Sequence, residues 1–323
     1  MKVFVSWPGY DPDDPATGRR LIEAGHELVL KPKVGRRTAD ELTSMIAGCA
    51  AALVSTDPFT AGVLDAAPDL RIIARVGVGV DSIDRLAADR NGVAISITPG
   101  MNAETVADQT LAMILGLVRK LAEQDRSVKA GRWERIGPLT PTELPGKTIG
   151  IVGAGTIGRA VMRRLSGFGV SVVYFDEQVD RFEGAGKLDA LDELLERSDI
   201  VSLHLPLTPD TEHLISAARI ATMKQGALLV NTGRGGLVDE TALFEALRAG
   251  RLGGAALDVF ESEPPDPAVL AEVPNLLCSA HMGGISHESV ARMTESATQS
   301  VLDVLAGSMP DTVINRDALA VPS

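Results

Sequence analysis

The chain has 323 residues, of which 45% are hydrophobic and 23% are charged, a composition typical of globular proteins. Its length allows two domains of ordinary size, each with its own core. The formal net charge is −12, and no run of Lys or Arg could follow a phosphate backbone. Nucleic acid and anionic membrane surfaces are therefore poor candidates as partners.

The cysteines and the amino terminus indicate the compartment. Cys49 and Cys278 have no disulfide or metal-binding spacing, and both stand beside apolar residues, so we expect buried thiols. The opening stretch, MKVFVSWPGY, resembles a strand and a turn, without the apolar core of a signal peptide. No stretch approaches a membrane span, and no His, Cys, Asp and Glu group has metal-ligand spacing. We expect a cytoplasmic protein without a metal.

The first hundred residues alternate apolar strands with helices. Strands are predicted at 2–6, 26–30, 51–55, 71–76 and 93–98, with helices around 18–24, 38–48 and 59–67. Thr38 is a candidate N-cap for the second of these helices. Strands that alternate with helices predict an open parallel sheet covered by helices. Pro99 and Gly100 mark the end of this domain.

One long helix is predicted over residues 102–121, and its apolar face is unusually broad. A face of that width is buried between domains or against a second subunit. Residues 130–144, which follow it, are predicted to be irregular.

Residues 147–176 have the pattern strand, glycine turn, helix, strand. Gly153, Gly155 and Gly158 form G-x-G-x-x-G, in which the glycines allow a tight turn, close approach of a pyrophosphate, and close packing of the helix on the sheet. The N–H groups of the helix start point at such phosphates. Asp176 ends the second strand, where a carboxylate accepts ribose hydroxyls and repels a 2′-phosphate. The unit therefore predicts NAD binding in preference to NADP.

The alternation continues to the end of the chain. Helices are predicted at 188–197, 216–223 and 240–249, and strands at 200–205, 227–231, 254–259 and 276–280. This is the pattern of a doubly wound nucleotide domain inserted into the first domain. A closing helix over 286–306 is predicted to pack back onto the first domain. The two crossings, near Pro99 and Ile285, predict a hinge with a cleft between the domains.

Polar clusters follow several strands, and ligands of doubly wound sheets bind at the carboxyl ends of strands. The clusters are residues 75–81 in the first domain and 231–235, 258–264 and 279–284 in the second. An arginine, a carboxylate and an imidazole thus come from consecutive strands to one edge.

These segments resemble the NAD-dependent D-2-hydroxyacid dehydrogenases, a family that includes phosphoglycerate, glycerate/hydroxypyruvate and D-lactate dehydrogenases. GAGTIG with Asp176, HLPLTPDT, NTGRGGLVDE, ALDVFESEP and AHMGG match in order and spacing over nearly the whole chain. RWERIGPLTPTELPGKTIGIVG and ALDVFESEPP favour the D-3-phosphoglycerate dehydrogenase branch.

The resemblance implies an α/β fold of two doubly wound parallel-sheet domains. A Rossmann NAD domain over 100–285 would be inserted into a flavodoxin-like substrate domain formed by 1–99 and 286–323. The family also implies a homodimer, built largely through the helix predicted over 102–121.

The resemblance assigns catalytic roles to Arg234, Glu263 and His281, and the chemistry asks for these residue types. A 2-hydroxy acid that loses hydride from C2 must also lose its hydroxyl proton, and His281 can be the base. Glu263, hydrogen-bonded to the imidazole, would orient it and favour its protonated form. Arg234 can hold the substrate carboxylate with paired N–H donors that Lys could not reproduce.

Further contacts follow from the same resemblance. NAD is expected to contact Gly153, Gly155, Thr156, Ile157, Asp176, His204, Pro206, Thr211, Thr232, Gly233, Asp258 and Gly283. The substrate is expected to contact Arg75, Arg234 and the backbone amides of Val78 and Gly79. Asp258 would meet the nicotinamide carboxamide. Packing explains His204 and Pro206 almost as well as a contact with adenine does.

The substrate is left open. Arg75 and Arg135 could hold the phosphate of 3-phosphoglycerate, whereas Asp57 would repel it unless paired. Glyoxylate or hydroxypyruvate reduction is the alternative. Because the sequence stops near residue 323, we expect it to lack the serine-sensing domain of some relatives. An NAD-sensing, corepressor-like binding protein would keep the same residues, although an intact Arg234, Glu263 and His281 favours an enzyme.

Overall fold

A computed structural model describes residues 1–33 and 37–319. The chain divides into two compact units, one formed by Met1–Asn102 with Ile285–Ser323 and the other by Ala103–Gly284. None of the described helices is long and apolar enough to cross a membrane.

The first unit contains strands that alternate with helices. Its elements are β1 (Lys2–Val5), α1 (Gly18–Glu23), β2 (Glu27–Leu30), α2 (Ala39–Ile46), β3 (Cys49–Val54), α3 (Ala61–Asp65), β4 (Ile72–Arg75), α4 (Arg85–Arg90) and β5 (Ala94–Ser96). In the described residues the strands form one parallel sheet of five, in the order β2-β1-β3-β4-β5. This is the flavodoxin-like order.

Local chemistry fixes the start of α2 where the sequence predicts it. Thr38 Oγ1 accepts from the amide of Glu41 at 3.2 Å, and the Glu41 carboxylate accepts from the amide of Thr38 at 2.8 Å. This reciprocal capping box satisfies two amides that the first helical turn leaves without partners.

The predicted closing helix belongs to the second segment of the chain in this unit. That segment holds helices α12 (His287–Leu305) and α13 (Arg316–Leu319). From α12, Met293, Ala297 and Val301 pack into one apolar cluster with Val3 and Ala74 of the sheet. Burial of this face of α12 is what joins the carboxyl-terminal segment to the first unit.

The second unit begins with two helices and continues as a strand–helix alternation. Its elements are α5 (Ala103–Arg119), α6 (Leu121–Lys129), β6 (Thr148–Val152), α7 (Thr156–Leu165), β7 (Ser171–Phe175), β8 (Gly186–Lys187), α8 (Leu191–Arg197), β9 (Ile200–Leu203), α9 (Ala217–Thr222), β10 (Leu228–Asn231), a 3₁₀ turn (Gly235–Leu237), α10 (Glu240–Arg248), β11 (Gly254–Leu257), α11 (Pro267–Ala271) and β12 (Leu276–Cys278).

The strands described for this unit form a parallel sheet of seven, in the order β12-β11-β10-β9-β6-β7-β8. Counted from β6, this is the Rossmann order with one strand added at the β12 edge. One apolar cluster covers each face, with Leu194, Leu229 and Leu257 in one and Ile114, Val161 and Tyr174 in the other. The two sheet orders confirm the predicted fold class.

Two predictions need correction. The helix predicted over 102–121 ends at Arg119, because Lys120 adopts a left-handed backbone (φ 51°), and a separate helix, α6, follows it. Cys49 is buried as expected, but Cys278 is exposed. Cys278 ends β12, a strand at the edge of the sheet, where one side of the strand has no neighbour among the described strands.

Candidate active site

The glycine turn lies at the carboxyl end of β6. Gly153 has φ 95°, and a Cβ there would lie 2.8 Å from the carbonyl oxygen of His204. At Gly158 a Cβ would lie 2.0 Å from the carbonyl oxygen of Gly153, so only glycine allows α7 to start this close to the turn. A Cβ on Gly155 would meet nothing within 4 Å. The backbone there faces open space, which a side chain would fill.

The start of α7 fits a dinucleotide pyrophosphate. Gly155 is the N-cap and has no side chain, so the N-cap makes no side-chain hydrogen bond to the amides of the first turn, which includes Thr156 and Ile157. Amides of this kind bind phosphate oxygens well, with the helix dipole adding a partial positive charge. The open face at Gly155 and the uncapped α7 together fit the pyrophosphate of NAD.

Asp176 lies beside this turn, at the end of β7. Its Oδ2 accepts from the amide of Ala154 at 2.7 Å, and its Oδ1 accepts from the amides of Gln178 and Val179 at 2.8 and 2.9 Å. These bonds fix the carboxylate next to the glycine turn. The exposed Glu177 follows it, so this end of β7 is negatively charged.

His204, Pro206 and Thr211 lie in the segment after β9. His204 Nε2 lies 2.9 Å from Ser202 Oγ, while its buried Nδ1 has no hydrogen-bond partner among the described residues. Burial lowers the pKa of His204 to about 4, so the ring is neutral near pH 7. Thr211 Oγ1 donates to the carbonyl of Pro206 at 2.8 Å and closes the turn.

The turn after β10 places Arg234. The buried Asn231 donates from Nδ2 to the carbonyl of Arg234 at 2.8 Å and accepts from the amide of Gly233 at 3.0 Å. The Thr232 hydroxyl lies 2.9 Å from that of Thr110 in α5. Asn231 thus fixes the backbone on both sides of Thr232 and Gly233, and with it the start of the Arg234 side chain.

The segments after β11 and β12 bring Glu263 and His281 together. His281 Nδ1 lies 3.1 and 3.0 Å from the two carboxylate oxygens of Glu263. One of these oxygens also accepts from the amide of Phe260 at 3.2 Å, which orients the carboxylate. β10, β11 and β12 are neighbours in the sheet, so Arg234, Glu263 and His281 follow three adjacent strands.

Asp258 does more than the sequence predicts. It is 1% exposed, and its carboxylate accepts from the amides of Met282 and Gly283 at 2.8 and 2.7 Å. Ser279 Oγ donates to it as well, and Ser279 accepts from Gln109 Nε2 at 3.0 Å. Neither Gln109 nor a role for Ser279 was predicted: Ser279 was seen only as part of the polar cluster 279–284, and Gln109 lies in a helix whose broad face was expected to be buried between domains or against a second subunit.

Two further glutamates, Glu240 and Glu261, pair with each other, and Glu240 lies close enough to Glu263 to be affected by its charge. Glu240 and Glu261 each accept from the other's backbone amide, at 2.6 and 3.2 Å, and Glu261 also lies 3.0 Å from His213 Nε2. Burial raises the pKa of Glu240, and the negative charges of Glu261 and Glu263 raise it further.

In the first unit, Arg75 organises the loop that holds Val78 and Gly79. Its Nε donates to the carbonyl of Gly79 at 2.8 Å and its Nη1 to that of Val76 at 2.6 Å. Gly77 has φ 140°, and a Cβ there would lie 2.7 Å from Arg75 Nη1. The carbonyl oxygens of Val76 and Gly79 therefore point toward the Arg75 guanidinium.

Asp57 was expected to repel a phosphate unless it was paired, and the structure shows that it is paired. Its carboxylate pairs with Arg37 Nε at 3.0 Å and accepts from the hydroxyl of Ser6. The side chains of Asp57 and Arg37 are only 8% and 4% exposed. No local pattern indicates this pair, because its members are 20 residues apart. Arg135 is exposed.

The carboxyl ends of the strands in the second unit therefore hold the groups that one reaction needs. These are a dinucleotide turn, an arginine for a carboxylate, and an imidazole whose Nδ1 faces an acid, leaving Nε2 for proton transfer. In the described residues no group of three or more His, Cys, Asp or Glu could hold a metal ion.

Comparison with known proteins supports this description. Residues 111–283 match the model of the D-isomer specific 2-hydroxyacid dehydrogenase family, NAD binding domain. A glyoxylate reductase of Thermofilum pendens is 42% identical over 82% of this chain and 81% of its own length. A D-3-phosphoglycerate dehydrogenase of Methanocaldococcus jannaschii is 37% identical over 79% of this chain, which spans only 49% of that relative.

A solved structure extends the likeness to the fold. The TT0316 protein of Thermus thermophilus superposes with a TM-score of 0.90 and 38% identity, covering 97% of this chain and 100% of its own. With a family model that matches more than half of its length, the chain belongs to the D-isomer specific 2-hydroxyacid dehydrogenases, which are NAD-dependent oxidoreductases.

Proposed function

We propose that the protein reduces a small, unphosphorylated 2-oxo acid, such as glyoxylate or hydroxypyruvate, to the D-2-hydroxy acid. The pairing of His281 Nδ1 with the Glu263 carboxylate at 3.0 Å carries the proposal. It supplies an oriented imidazole at the strand ends that also hold Arg234 and the glycine turn.

The site residues divide the tasks of this reaction among them. The glycine turn and the start of α7 would hold NADH, which would supply the hydride to C2 of the 2-oxo acid. Arg234 holds the substrate carboxylate and polarises the C2 oxygen, with the amides of Val78 and Gly79 as further donors to the carboxylate. His281 donates a proton from Nε2 to the C2 oxygen, and Glu263 stabilises the imidazolium beforehand. Oxidation reverses the proton transfer.

The units take corresponding roles in the proposal. Residues 1–99 with 286–323 bind the substrate, and residues 100–285 bind NAD. The carboxylates of Asp176 and Glu177 favour NAD over NADP, because a 2′-phosphate beside them would be repelled.

One observation favours the unphosphorylated substrate. Arg75, one of the two arginines predicted to hold a phosphate, already donates N–H groups to the carbonyls of Gly79 and Val76. A phosphate would therefore compete with these loop carbonyls for Arg75. Phosphohydroxypyruvate remains the second candidate, supported by the likeness to D-3-phosphoglycerate dehydrogenases.

We also propose a cytoplasmic homodimer. Four large apolar side chains between 121 and 136 are exposed, namely Leu121, Val128, Trp133 and Ile136, with 56, 51, 78 and 90% exposure. A run of exposed apolar side chains is typical of an interaction surface, and a second copy would cover it. Both cysteines are free thiols, as is usual in a reducing compartment.

The test is NADH oxidation against glyoxylate, hydroxypyruvate, pyruvate and phosphohydroxypyruvate, with NADPH as the alternative donor. The proposal predicts a kcat/KM at least about 10-fold higher for glyoxylate or hydroxypyruvate than for phosphohydroxypyruvate. A preference for phosphohydroxypyruvate would contradict the proposed substrate and favour the second candidate. Tight NADH binding without turnover of any acid would favour a sensor and contradict the enzyme.

A further inference from the structure

The loop that carries His281 is held by hydrogen bonds that lead back to helix α5. We propose that Gln109, Ser279 and Asp258 form a positioning unit, which fixes the backbone of His281 so that its imidazole meets Glu263 on one side and the substrate on the other. The inference rests on the proposed function and adds positioning residues to it.

Asp258 binds the backbone of three consecutive residues. Its carbonyl oxygen accepts from the amide of His281 at 2.7 Å. Its carboxylate accepts from the next two amides, those of Met282 and Gly283, at 2.8 and 2.7 Å. A single aspartate thus fixes the orientation of every peptide from residue 281 to 283.

This restraint matters because His281 adopts an unfavourable backbone. Its φ is 54°, in the left-handed region that non-glycine residues rarely occupy. Such a conformation persists only where the surroundings determine it. At Gly283, a Cβ would lie 2.7 Å from Asp258 Oδ2, so only a residue without a side chain lets the loop approach the carboxylate this closely.

Ser279 and Gln109 determine where the Asp258 carboxylate points. Ser279 Oγ donates to Oδ1, the same oxygen that receives the amide of Met282. Gln109 Nε2 donates to Ser279 Oγ at 3.0 Å, which leaves the serine hydrogen for the aspartate. At 1% exposure, Asp258 has little water to replace a lost donor. Removal of Ser279 should therefore loosen the histidine loop.

The test is Ser279→Ala, with Ser198→Ala as its matched control. Ser198 is buried in the same unit and donates to the carbonyl of Leu194 at 2.6 Å, before the amino end of β9 rather than after a strand end. With the best 2-oxo acid, Ser279→Ala should lower kcat by about 10- to 100-fold. KM and the dissociation constant of NADH should change by less than about threefold. Ser198→Ala should leave kcat within about threefold of the wild type.

An isotope effect separates positioning from a general loss of structure. With NADH deuterated at the transferred position, Ser279→Ala should show a larger isotope effect on kcat, because a misplaced imidazole slows the chemical step. Gln109→Met should also lower kcat, by about three- to 10-fold. The double variant should be no slower than Ser279→Ala alone, since Gln109 acts through the serine.

Wild-type turnover with unchanged kcat in Ser279→Ala would overturn the inference and leave the proposed function intact. Weaker NADH binding with unchanged kcat would also overturn it, because Asp258 would then serve the cofactor alone. A wild type that turns over none of the acids would remove the proposed function, and the inference with it.

Discussion

The Glu263 carboxylate faces His281 with both oxygens, 3.1 and 3.0 Å from Nδ1. A carboxylate can only accept, so Nδ1 carries a hydrogen and Nε2 is the nitrogen that exchanges protons with a substrate. The side chains of Glu263 and His281 are 31% and 46% exposed, so the pair is partly open to solvent.

Replacing Glu263 by Gln tests the charge of this pair. Glutamine can still accept from Nδ1, but it cannot stabilise the imidazolium. We expect kcat for reduction to fall by about 10- to 100-fold, with an unchanged dissociation constant for NADH. Steady-state kinetics and NADH fluorescence titration measure the two quantities. A kcat within a factor of about two of the wild type would show that orientation alone is what Glu263 provides.

Breaking the buried pair of Arg37 and Asp57 is predicted to destabilise the first unit. Asp57→Ala leaves the guanidinium almost without solvent and without its carboxylate, so the free energy of unfolding should fall by about 3–5 kcal/mol. Removing both charges in Arg37→Leu/Asp57→Ala should restore most of that loss. Urea denaturation measures both variants. A loss below about 1 kcal/mol in Asp57→Ala would mean that water reaches the pair.

His204 gives a pH dependence whose sign is fixed by its lowered pKa. Burial lowers the pKa to about 4, below the value of about 6.5 in an unfolded chain. Between these values the unfolded chain binds a proton that the folded chain does not. Stability present above pH 6.5 is therefore lost as the pH falls towards 4, by up to about 3 kcal/mol. Urea denaturation without cofactor should show a weaker loss over this range in His204→Gln. Equal losses in both proteins would contradict the assignment.

Glu240 should behave in the opposite way. Burial, Glu261 and Glu263 raise its pKa, so its charged form destabilises the folded chain and stability is gained as the pH falls through the raised value. Glu240→Gln keeps the oxygen that accepts from the amide of Glu261. We expect this variant to be more stable than the wild type at about pH 7, with the difference vanishing in acid. A less stable variant at neutral pH would mean that the ionised carboxylate is favourable there.

Much of this molecule could be predicted because its signals are local. The glycine turn, the alternation of strands and helices, and the cap at Thr38 each depend on residues close in sequence. Neighbouring strands then bring Glu263 and His281 together, and their pairing was predicted from the family resemblance that the ordered motifs carry.

What could not be predicted depends on contacts between distant residues. Arg37 and Asp57 pair across 20 residues, and the pair removes the argument that Asp57 repels phosphate. Gln109 and Ser279 are 170 residues apart, and nothing in the sequence of α5 indicates their hydrogen bond. The end of α5 at Lys120 also escaped prediction, because lysine gives no local signal for a left-handed backbone.

The most direct test of the account is His281→Asn, assayed by NADH oxidation with the best 2-oxo acid. Asparagine tolerates the left-handed backbone of His281, so the loop should persist without a proton donor. The control is His213→Asn, since His213 also has a positive φ (48°) and pairs with a glutamate, Glu261, at 3.0 Å. We predict a loss of about 10²- to 10⁴-fold in kcat for His281→Asn, with NADH binding unchanged and the control within about threefold of the wild type. Full activity of His281→Asn would contradict the mechanism.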